Sequence, residues 1–371
     1  MHNVMGYIRI LLCLLVFLVC SCEKQEQTTI ATTHFDLADL QQMKMADFVE
    51  SISLVPLETS DSSLLKRTEK LYIHHDRLVI KDRGCLLFFD KKGNFISSTR
   101  HLQGAGPERY LAGLGFTLLS DNGLEVFDAL GSKLLHYDAD MKLLSTHKLP
   151  RSILPTTGYL KVSEDVRLFL SDDTLKWYSL KEDKIVERTV LPFHYKMIRF
   201  QQNPWYKQGD IYYYAGNCPQ NELYRLDVEG RKLVACHTFD FGKHRFEMEK
   251  LPSGMNDKYY RDYTDEHDDA FVFDKFVDEN RELCFFWHDK KFCFAYHDVR
   301  TGKSGVYYNE WVTKGQLQLP SLYEDGVLYA FAQPGMLEYW LDESLLESDG
   351  KEIMDNMLED DNPILICYKL K

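Results

Sequence analysis

A short aromatic segment that ends in Asp or Ser recurs along the chain, and this repetition limits the fold more than any other feature. Each copy has the apolar and aromatic pattern of a strand and is followed by a Gly-containing or charged turn. The copies end at Asp90, Asp138, Ser179, Asp227 and Asp298. Successive ends are 48, 41, 48 and 71 residues apart. Most of these steps suit one four-stranded propeller blade, so the sequence predicts one blade per copy.

Strand pairs separated by turn residues precede the aromatic segments. Residues 71–73 and 78–80 form one such pair, and residues 116–119 and 124–127 form another. The longest step contains a polar stretch at 256–269, which is interpreted as an inserted loop.

A sixth unit lacks the terminal Asp but has the same strand pattern. Its expected strands are residues 321–323, 327–331 and 337–341. Six units share residues 51–371, or about 53 residues each, which fits a blade with its loops. The sequence therefore predicts an all-β fold, a six-bladed β-propeller, with short helical stretches near 37–48 and 345–359.

A propeller must close its ring, because an open blade edge leaves backbone groups unpaired. Two strand-like runs, at residues 52–57 and 364–370, lie at opposite ends of this body. We expect the early run to join the last blade.

The N-terminal stretch has the features of a bacterial export signal. Arg9 precedes an apolar run at residues 10–19, which is too short to span a bilayer but suits a signal peptide. The sequence Val-Cys-Ser-Cys at 19–22 resembles the lipobox of bacterial lipoproteins, so Cys22 is the expected lipidation site. An ordinary secretory signal is the alternative interpretation.

The expected organisation is a signal peptide at 1–21, a lipidated flexible tether at 22–33 and the propeller at 34–371. Residues 23–33 are polar and lack hydrophobic periodicity, which is typical of a tether. The lipid anchor makes the membrane the first expected partner. The expected location is the outer membrane, at its periplasmic face or at the cell surface.

Charge and cysteine spacing exclude several classes of protein. The formal net charge is −13 and no block of Lys and Arg interrupts it, so nucleic acid is not an expected partner. No two cysteines have CxxC spacing, so no zinc ribbon is expected. In a hairpin of residues 283–287 with 292–296, Cys284 and Cys293 are diagonal neighbours, too far apart for a disulfide. Both are expected to be buried free thiols.

Three motifs resemble a family of six-bladed β-propeller lipoproteins of gut anaerobic Gram-negative bacteria, which is similar to NHL-type propellers. The motifs are Val-Pro-Leu-Glu-Thr at 55–59 with Ser-Ser-Leu at 62–64, Gly-Ala-Gly-Pro-Glu-Arg-Tyr at 104–110, and Asp-Asn-Pro-Ile-Leu at 361–365. The resemblance implies the fold and the anchor, and it implies no defined activity. The family usually has Gly-Pro-Gly-Glu-Tyr in the second motif, where this chain has Glu108 and Arg109 in place of the second Gly and the Glu.

The second motif is the candidate ligand loop. Its residues of interest are Gly104, Gly106, Pro107, Glu108, Arg109 and Tyr110. Glycine permits positive φ, Pro fixes its own φ, and Tyr can anchor the turn by packing. The loop is either a ligand loop at the mouth of the central channel or a rigid connection between two blades.

Other candidate ligand groups have structural alternatives. The acidic stretch of Asp262, Asp265, Glu266, His267, Asp268 and Asp269 offers oxygen ligands to Ca²⁺, or forms a solvated loop. His74 and His75 lie at a predicted turn, with a metal role as the alternative to exposure. The aromatic runs at 205–206 and 212–214 could stack on sugars, although alternate strand residues must face the core.

The sequence supports two functional hypotheses. No nucleophile elbow, zincin, Walker or EF-hand motif is present, which favours a non-catalytic binding or scaffold lipoprotein with a glycan, peptide or protein partner on one propeller face. The alternative is a metal-dependent hydrolase or lyase with its site in the central channel, which rests on fold analogy. No cofactor is predicted for the first hypothesis, whereas the second requires a divalent ion such as Ca²⁺. Catalytic residues are unknown.

Overall fold

Each of the five aromatic repeats forms the third strand of a blade of four antiparallel strands. These five blades and a sixth form a β-propeller. The computed structural model describes residues 30–171, 173–192, 204–214, 220–247, 257–310 and 313–371. The six-bladed fold predicted from the repeats is therefore confirmed. The signal peptide at 1–21 and Cys22 lie outside the described residues.

The N-terminal segment supplies three strands before the first blade begins. They are β1 (Ala31–His34), β2 (Gln41–Gln42) and β3 (Val49–Val55).

The first three blades follow in chain order, and each consists of four consecutive strands. Blade 1 contains β4 (Thr68–His74), β5 (Arg77–Asp82), β6 (Cys85–Asp90) and β7 (Phe95–Ser98). Blade 2 contains β8 (Gly113–Leu118), β9 (Leu124–Asp128), β10 (Lys133–Tyr137) and β11 (Leu143–Lys148). Blade 3 contains β12 (Gly158–Lys161), β13 (Val166–Ser171), β14 (Thr174–Ser179) and β15 (Lys184–Val190).

Blades 4 and 5 have the same plan, and an N-terminal strand is added to each. Blade 4 contains β16 (Trp205–Gln208), β17 (Ile211–Tyr214), β18 (Glu222–Asp227) and β19 (Lys232–Asp240). Blade 5 contains β20 (Phe271–Val277), β21 (Arg281–His288), β22 (Lys291–Asp298) and β23 (Lys303–Tyr308). Blade 6 contains β24 (Leu322–Glu324), β25 (Val327–Ala332), β26 (Ile364–Leu370) and, as its fourth strand, β3.

The repeated Asp or Ser has a structural role that explains its spacing. In each of the five copies its side-chain oxygen accepts a backbone N–H from the turn between the third and fourth strands. The donors are Lys92 for Asp90, Asp140 for Asp138, Glu182 for Ser179, Gly230 for Asp227 and Arg300 for Asp298. A short oxygen-bearing side chain is what such a turn requires.

The ring closes as expected from the two terminal runs. β3 pairs antiparallel with β26, from Val55 opposite Leu365 to Val49 opposite Leu370. The early strand begins three residues before the expected run at 52–57 and ends two residues earlier. Blade 6 is thus assembled from both ends of the described chain.

The N-terminal segment also crosses two other blades. β1 pairs in parallel with β19 of blade 4, and β2 pairs in parallel with β23 of blade 5. We call residues 31–55 the N-terminal belt. Residues 31–33 of the stretch expected to be tether are part of β1, which covers the backbone edge that β19 would otherwise expose.

Two expected elements differ in the structure. Residues 337–341 do not form a strand, because β26 already occupies the position beside β25; residues 337–340 belong to the 3₁₀ helix Pro334–Trp340, and Leu341 follows it. The expected loop at 256–269 contains the helix α1 (Asp257–Glu266). Its Tyr263 is buried and lies edge-on to Phe271 of blade 5, which holds the helix on the ring. The second stretch expected to be helical contains α2 (Gly350–Asn356).

The apolar core lies between neighbouring blades. Phe127 of blade 2 stacks on Tyr159 of blade 3, and Phe276 of blade 5 contacts Tyr323 of blade 6. The predicted hairpin in blade 5 has the expected register, with Cys284 opposite Ala295 and Cys293 opposite Phe286, and both thiols are free and buried. Among the described residues, no helix has the length and apolar character needed to cross a membrane.

Candidate functional site

A lysine side chain crosses the central channel. Lys70 on β4 of blade 1 donates a hydrogen bond from its Nζ to the Trp205 carbonyl of blade 4, at 2.8 Å. Blades 1 and 4 are opposite each other in a six-bladed ring, so this contact crosses the channel. Burial lowers the pKa of Lys70 to about 8, and the Asp274 carboxylate on β20 works against that shift.

Ionic groups near the channel join neighbouring blades. Lys81 binds Glu69 at 3.2 Å and also donates to the Leu114 carbonyl of blade 2 at 3.4 Å. Such buried pairs are costly to break, because the remaining charge loses its partner in a poorly solvated place.

A second buried pair joins blades 2 and 3. Arg167 contacts both oxygens of Glu125, at 2.7 and 2.6 Å, and the Tyr159 hydroxyl donates to the same carboxylate. Burial raises the pKa of Tyr159, so its phenol stays protonated and remains a donor.

The innermost strands do not bring together the ligands that a channel metal would need. Among the described residues, one group of three His, Cys, Asp or Glu side chains converges within ligand distance, and none of its members lies on β4, β8, β12, β16, β20 or β24. The channel-metal hydrolase or lyase is therefore not favoured.

The candidate ligand loop connects blade 1 to blade 2. Tyr110 is fully buried and its hydroxyl lies 2.7 Å from the Thr99 hydroxyl, while residues 105–109 are exposed. The Gly104 N–H donates to the Tyr110 carbonyl at 2.9 Å. Gly104 and Gly106 have φ of +137° and +147°, values that favour glycine.

Blade 2 holds the same loop through its backbone carbonyls. The Nζ of Lys133 lies 2.7 Å from the Arg109 carbonyl, and the Tyr137 hydroxyl donates to the Glu108 carbonyl at 2.9 Å. Glu108 and Arg109 are exposed. The geometry accounts for a rigid connection, and a ligand role for the loop stays a prediction.

The other two family-like motifs meet where the ring closes. Asn362 is 1% exposed, and its side-chain amide donates to the Glu58 and Ser63 carbonyls at 2.7 and 3.1 Å. Its Oδ1 accepts the Leu65 N–H at 2.7 Å, and its own N–H donates to Thr59 Oγ1 at 2.8 Å. One buried amide thus joins two motifs about 300 residues apart.

Blade 1 contacts the same junction through a glycine. Gly93 has a φ of +87°, and its carbonyl accepts the Glu58 N–H at 2.8 Å. A side chain at Gly93 would collide with the Pro56 carbonyl, so the junction requires glycine here.

A cleft of about 480 Å³ lies between this junction and helix α2, and we call it the seam cleft. The apolar residues that line it are Pro56, Leu57, Ile353 and Met357. Its carboxylates are Glu58, Asp349, Glu352 and Asp361, and its single cationic side chain is Lys92.

The carboxylates of the seam cleft differ in how they are held. Glu58 Oε2 accepts the Phe95 N–H at 3.0 Å, and Asp361 Oδ2 accepts the Leu358 N–H at 2.8 Å. Asp349 and Glu352 are exposed at the first turn of α2. Four carboxylates against one ammonium group give the cleft a negative potential.

The remaining candidates have mainly structural surroundings. Trp205 and Tyr214 are buried, and Tyr206 stacks on Tyr213 with ring centroids 5.1 Å apart, so these rings pack mostly on the protein. One nitrogen of the His74 ring lies 3.0 Å from the Leu119 carbonyl of blade 2.

The acidic stretch does not converge on itself. Asp262, Asp265 and Glu266 are exposed on α1, and His267 stacks on Tyr263 at 3.7 Å. Asp268 instead approaches His244 and His288, two histidines from distant parts of the chain that no local motif connects.

Six radially arranged four-stranded sheets, closed by an N-terminal strand, define the chain as a six-bladed β-propeller. The chain belongs to the family described as "Domain of unknown function (DUF4934)", which matches residues 30–369. This match begins one residue before β1, so it includes the whole N-terminal belt. No curated protein matches the chain.

Two solved structures have a similar fold. A Bacteroides fragilis protein described as exported is 20% identical with a TM-score of 0.73, over 92% of this chain and 100% of that one. A DUF4221 family member from Bacteroides vulgatus is 11% identical with a TM-score of 0.50, over 87% of this chain and 97% of that one. At these identities the likeness concerns the fold alone.

Proposed function

We propose that the protein is a membrane-anchored, non-catalytic binding or scaffold lipoprotein whose seam cleft binds a basic segment of a peptide or protein partner. The observation that carries this proposal is the cleft itself, whose lining combines four carboxylates with apolar side chains. A Lys or Arg side chain matches such a site, since its aliphatic part covers apolar surface while its charge meets the carboxylates.

The charge of the whole chain supports the same class of partner. A formal net charge of −13 attracts cationic segments and repels acidic ones at a distance. Glycan binding has less support, because the aromatic runs that would stack on sugar rings pack mostly on their own strands.

The proposal places the propeller at the outer membrane, at its periplasmic face or at the cell surface, held by lipid on Cys22. Support comes from the lipobox-like sequence at 19–22 and from the exported Bacteroides fragilis protein with a similar fold. A lipid-anchored propeller would present the seam cleft to partners near the membrane.

The test is a binding titration with the full chain purified in mild detergent. The probe is a fluorescein-labelled peptide of alternating Lys and Leu, and its counterpart with Glu in place of Lys is the charge control. We expect the basic peptide to bind, with an affinity that falls as salt rises, and the acidic one not to bind.

The variant that tests the site is Asp349→Asn combined with Glu352→Gln. It should weaken binding about 10-fold, or ~1.4 kcal/mol. The matched control is Glu229→Gln combined with Asp140→Asn, which removes two exposed carboxylates in strand-connecting turns outside the seam cleft. Equal weakening by both pairs, or no binding of the basic peptide, would overturn the proposal.

A further inference from the structure

We propose that His244, Asp268 and His288 form a binding site for a divalent first-row transition-metal ion such as Zn²⁺. One potential ligand atom from each of the three side chains lies within 4.8 Å of the other two. The site is separate from both the central channel and the seam cleft, so it goes beyond the proposed function.

Three segments of the chain build this cluster at one end of blade 5. His244 ends a short 3₁₀ helix (Gly242–His244) that follows blade 4, and Asp268 lies between α1 and β20. His288 is the last residue of β21. The arrangement thus depends on the packing of blade 4 against blade 5.

The backbone fixes these segments relative to each other. The Ala270 N–H donates to the His244 carbonyl at 2.7 Å, and Arg245 forms a parallel bridge with Ala270. The two imidazole rings meet nearly edge to face, with centroids 5.4 Å apart. The ligand atoms are therefore held together before any ion binds, which reduces the entropic cost of binding.

The Asp268 carboxylate faces both rings. Its Oδ2 lies 3.1 Å from Nδ1 of His244, and its Oδ1 lies 3.5 Å from Nε2 of His288. The two rings are 16% and 8% exposed, whereas the carboxylate is 74% exposed. The imidazoles thus form the buried side of the site, and the carboxylate forms its solvent-facing side.

A backbone carbonyl lies at the second hydrogen-bonding position of the His288 ring, whereas Nδ1 of His244 faces both the carbonyl and the carboxylate of Asp268. Nδ1 of His288 lies 3.4 Å from the Asp269 carbonyl, and Nδ1 of His244 lies 2.7 Å from the Asp268 carbonyl. Histidines that bind metals commonly donate their second N–H to a carbonyl, and Nδ1 of His288 is placed to do so.

When Nδ1 of neutral His288 donates to the Asp269 carbonyl, its Nε2 has a lone pair that faces the Asp268 carboxylate. A lone pair and an anion repel each other unless a cation, either a proton or a metal ion, lies between them. A metal ion supplies that cation, and two imidazoles with one carboxylate are a ligand set that suits Zn²⁺ and similar ions. Three protein ligands leave a coordination position for water or for an oxygen of a bound partner.

The experiment uses the full chain in mild detergent, freed of metal with EDTA and dialysed. Zn²⁺ is titrated calorimetrically, and Co²⁺ is titrated in parallel by its visible absorption bands. We expect one Zn²⁺ per chain, a rise in the thermal unfolding temperature with Zn²⁺ that EDTA reverses, and Co²⁺ bands of a four- or five-coordinate ion.

Three single variants, His244→Gln, Asp268→Asn and His288→Gln, remove one ligand each. Loss of an outer-shell partner of a metal ligand typically lowers the affinity about 10- to 100-fold. Loss of a direct ligand should therefore weaken Zn²⁺ binding by about 100-fold or more. The control is His267→Gln, beside Asp268 in sequence but packed on Tyr263, and it should leave the affinity within about 3-fold of the original.

The unfolding temperature of each variant without metal shows whether it has folded. Folded ligand variants that bind Zn²⁺ as tightly as the original chain would overturn the proposal. So would an original chain that binds no Zn²⁺, because the cluster would then be a proton-linked Asp–His pair. A His267→Gln loss as large as those of the ligand variants would also overturn it.

Discussion

At the scale of single residues, the buried polar side chains mainly hold blades together. Asn362 joins the start and the end of the ring with four hydrogen bonds, and Glu125 with Arg167 joins two neighbouring blades. Buried groups of this kind are stabilising only when all their partners are present. At Lys70, burial lowers the pKa and so works against the charge of the ammonium group.

We expect Lys70 to make the stability of the protein depend on pH. Its pKa falls from 10.5 to about 8 on folding. Between about pH 8 and pH 10.5 the unfolded chain keeps a proton that the folded protein has lost, so the Lys70 contribution to stability rises with pH. The penalty is fully present below pH 8 and amounts to at most about 3 kcal/mol.

Urea unfolding at several pH values between 7 and 10 measures this contribution as a difference between Lys70→Met and the unchanged chain. The difference is needed because burial raises the pKa of the Cys284 and Cys293 thiols, which lowers stability as pH rises above 9. The exposed Lys207, changed to Met, is the control and should keep the original pH profile. An unchanged profile in Lys70→Met would contradict the assignment.

At the scale of elements, sequence patterns predicted the hairpins and the two strands that close the ring, but not the pairings of β1 and β2 with distant blades. The hairpin at Cys284 and Cys293 has the expected register because strand alternation and turn residues are local signals. β2 is two residues long and pairs only with a blade more than 260 residues away, so no local pattern marks it.

Candidate sites formed by contiguous sequence could be predicted, whereas a site formed by distant segments could not. The two motifs of the closing junction and the loop at 104–110 could be found as contiguous sequence. His244 and His288 could not, because their nearness to Asp268 arises from the packing of blade 4 against blade 5. The sequence predicts a strand at 337–341, because the apolar residues there do not show that β26 is the strand paired with β25.

The N-terminal belt should contribute strongly to stability. Phe48 in the belt is fully buried and packs on Phe294, Tyr296 and Tyr307 of blade 5, with ring centroids 4.9, 5.9 and 5.2 Å away. Phe48→Ala should therefore lower the free energy of unfolding by about 3–5 kcal/mol, measured by urea denaturation.

The control for the belt is Ile30→Ala, just before β1, where the side chain is 43% exposed. It should cost less than about 1 kcal/mol. A Phe48→Ala cost as small as that of Ile30→Ala would show that the belt is an accessory to the ring and not part of its core.

At the scale of the whole molecule, the belt connects the proposed anchor to the ring. Seven residues, at 23–29, separate Cys22 from the first described residue. Even at full extension, the eight steps from Cys22 to Ile30 span no more than about 29 Å. A lipid on Cys22 would therefore hold the edge of blade 4, where β1 pairs, within that distance of the membrane.

The anchor and the fold should be separable by mutation. In Cys22→Ala the lipid has no attachment point, so we expect the chain to move from the membrane fraction to the aqueous fraction of cells that express it. Its unfolding midpoint in urea should not change, because the ring begins at β1. Cys20→Ala is the matched control, two residues earlier, and should stay with the membrane. A Cys22→Ala chain that remains in the membrane fraction would contradict the proposal that a lipid on Cys22 anchors the protein.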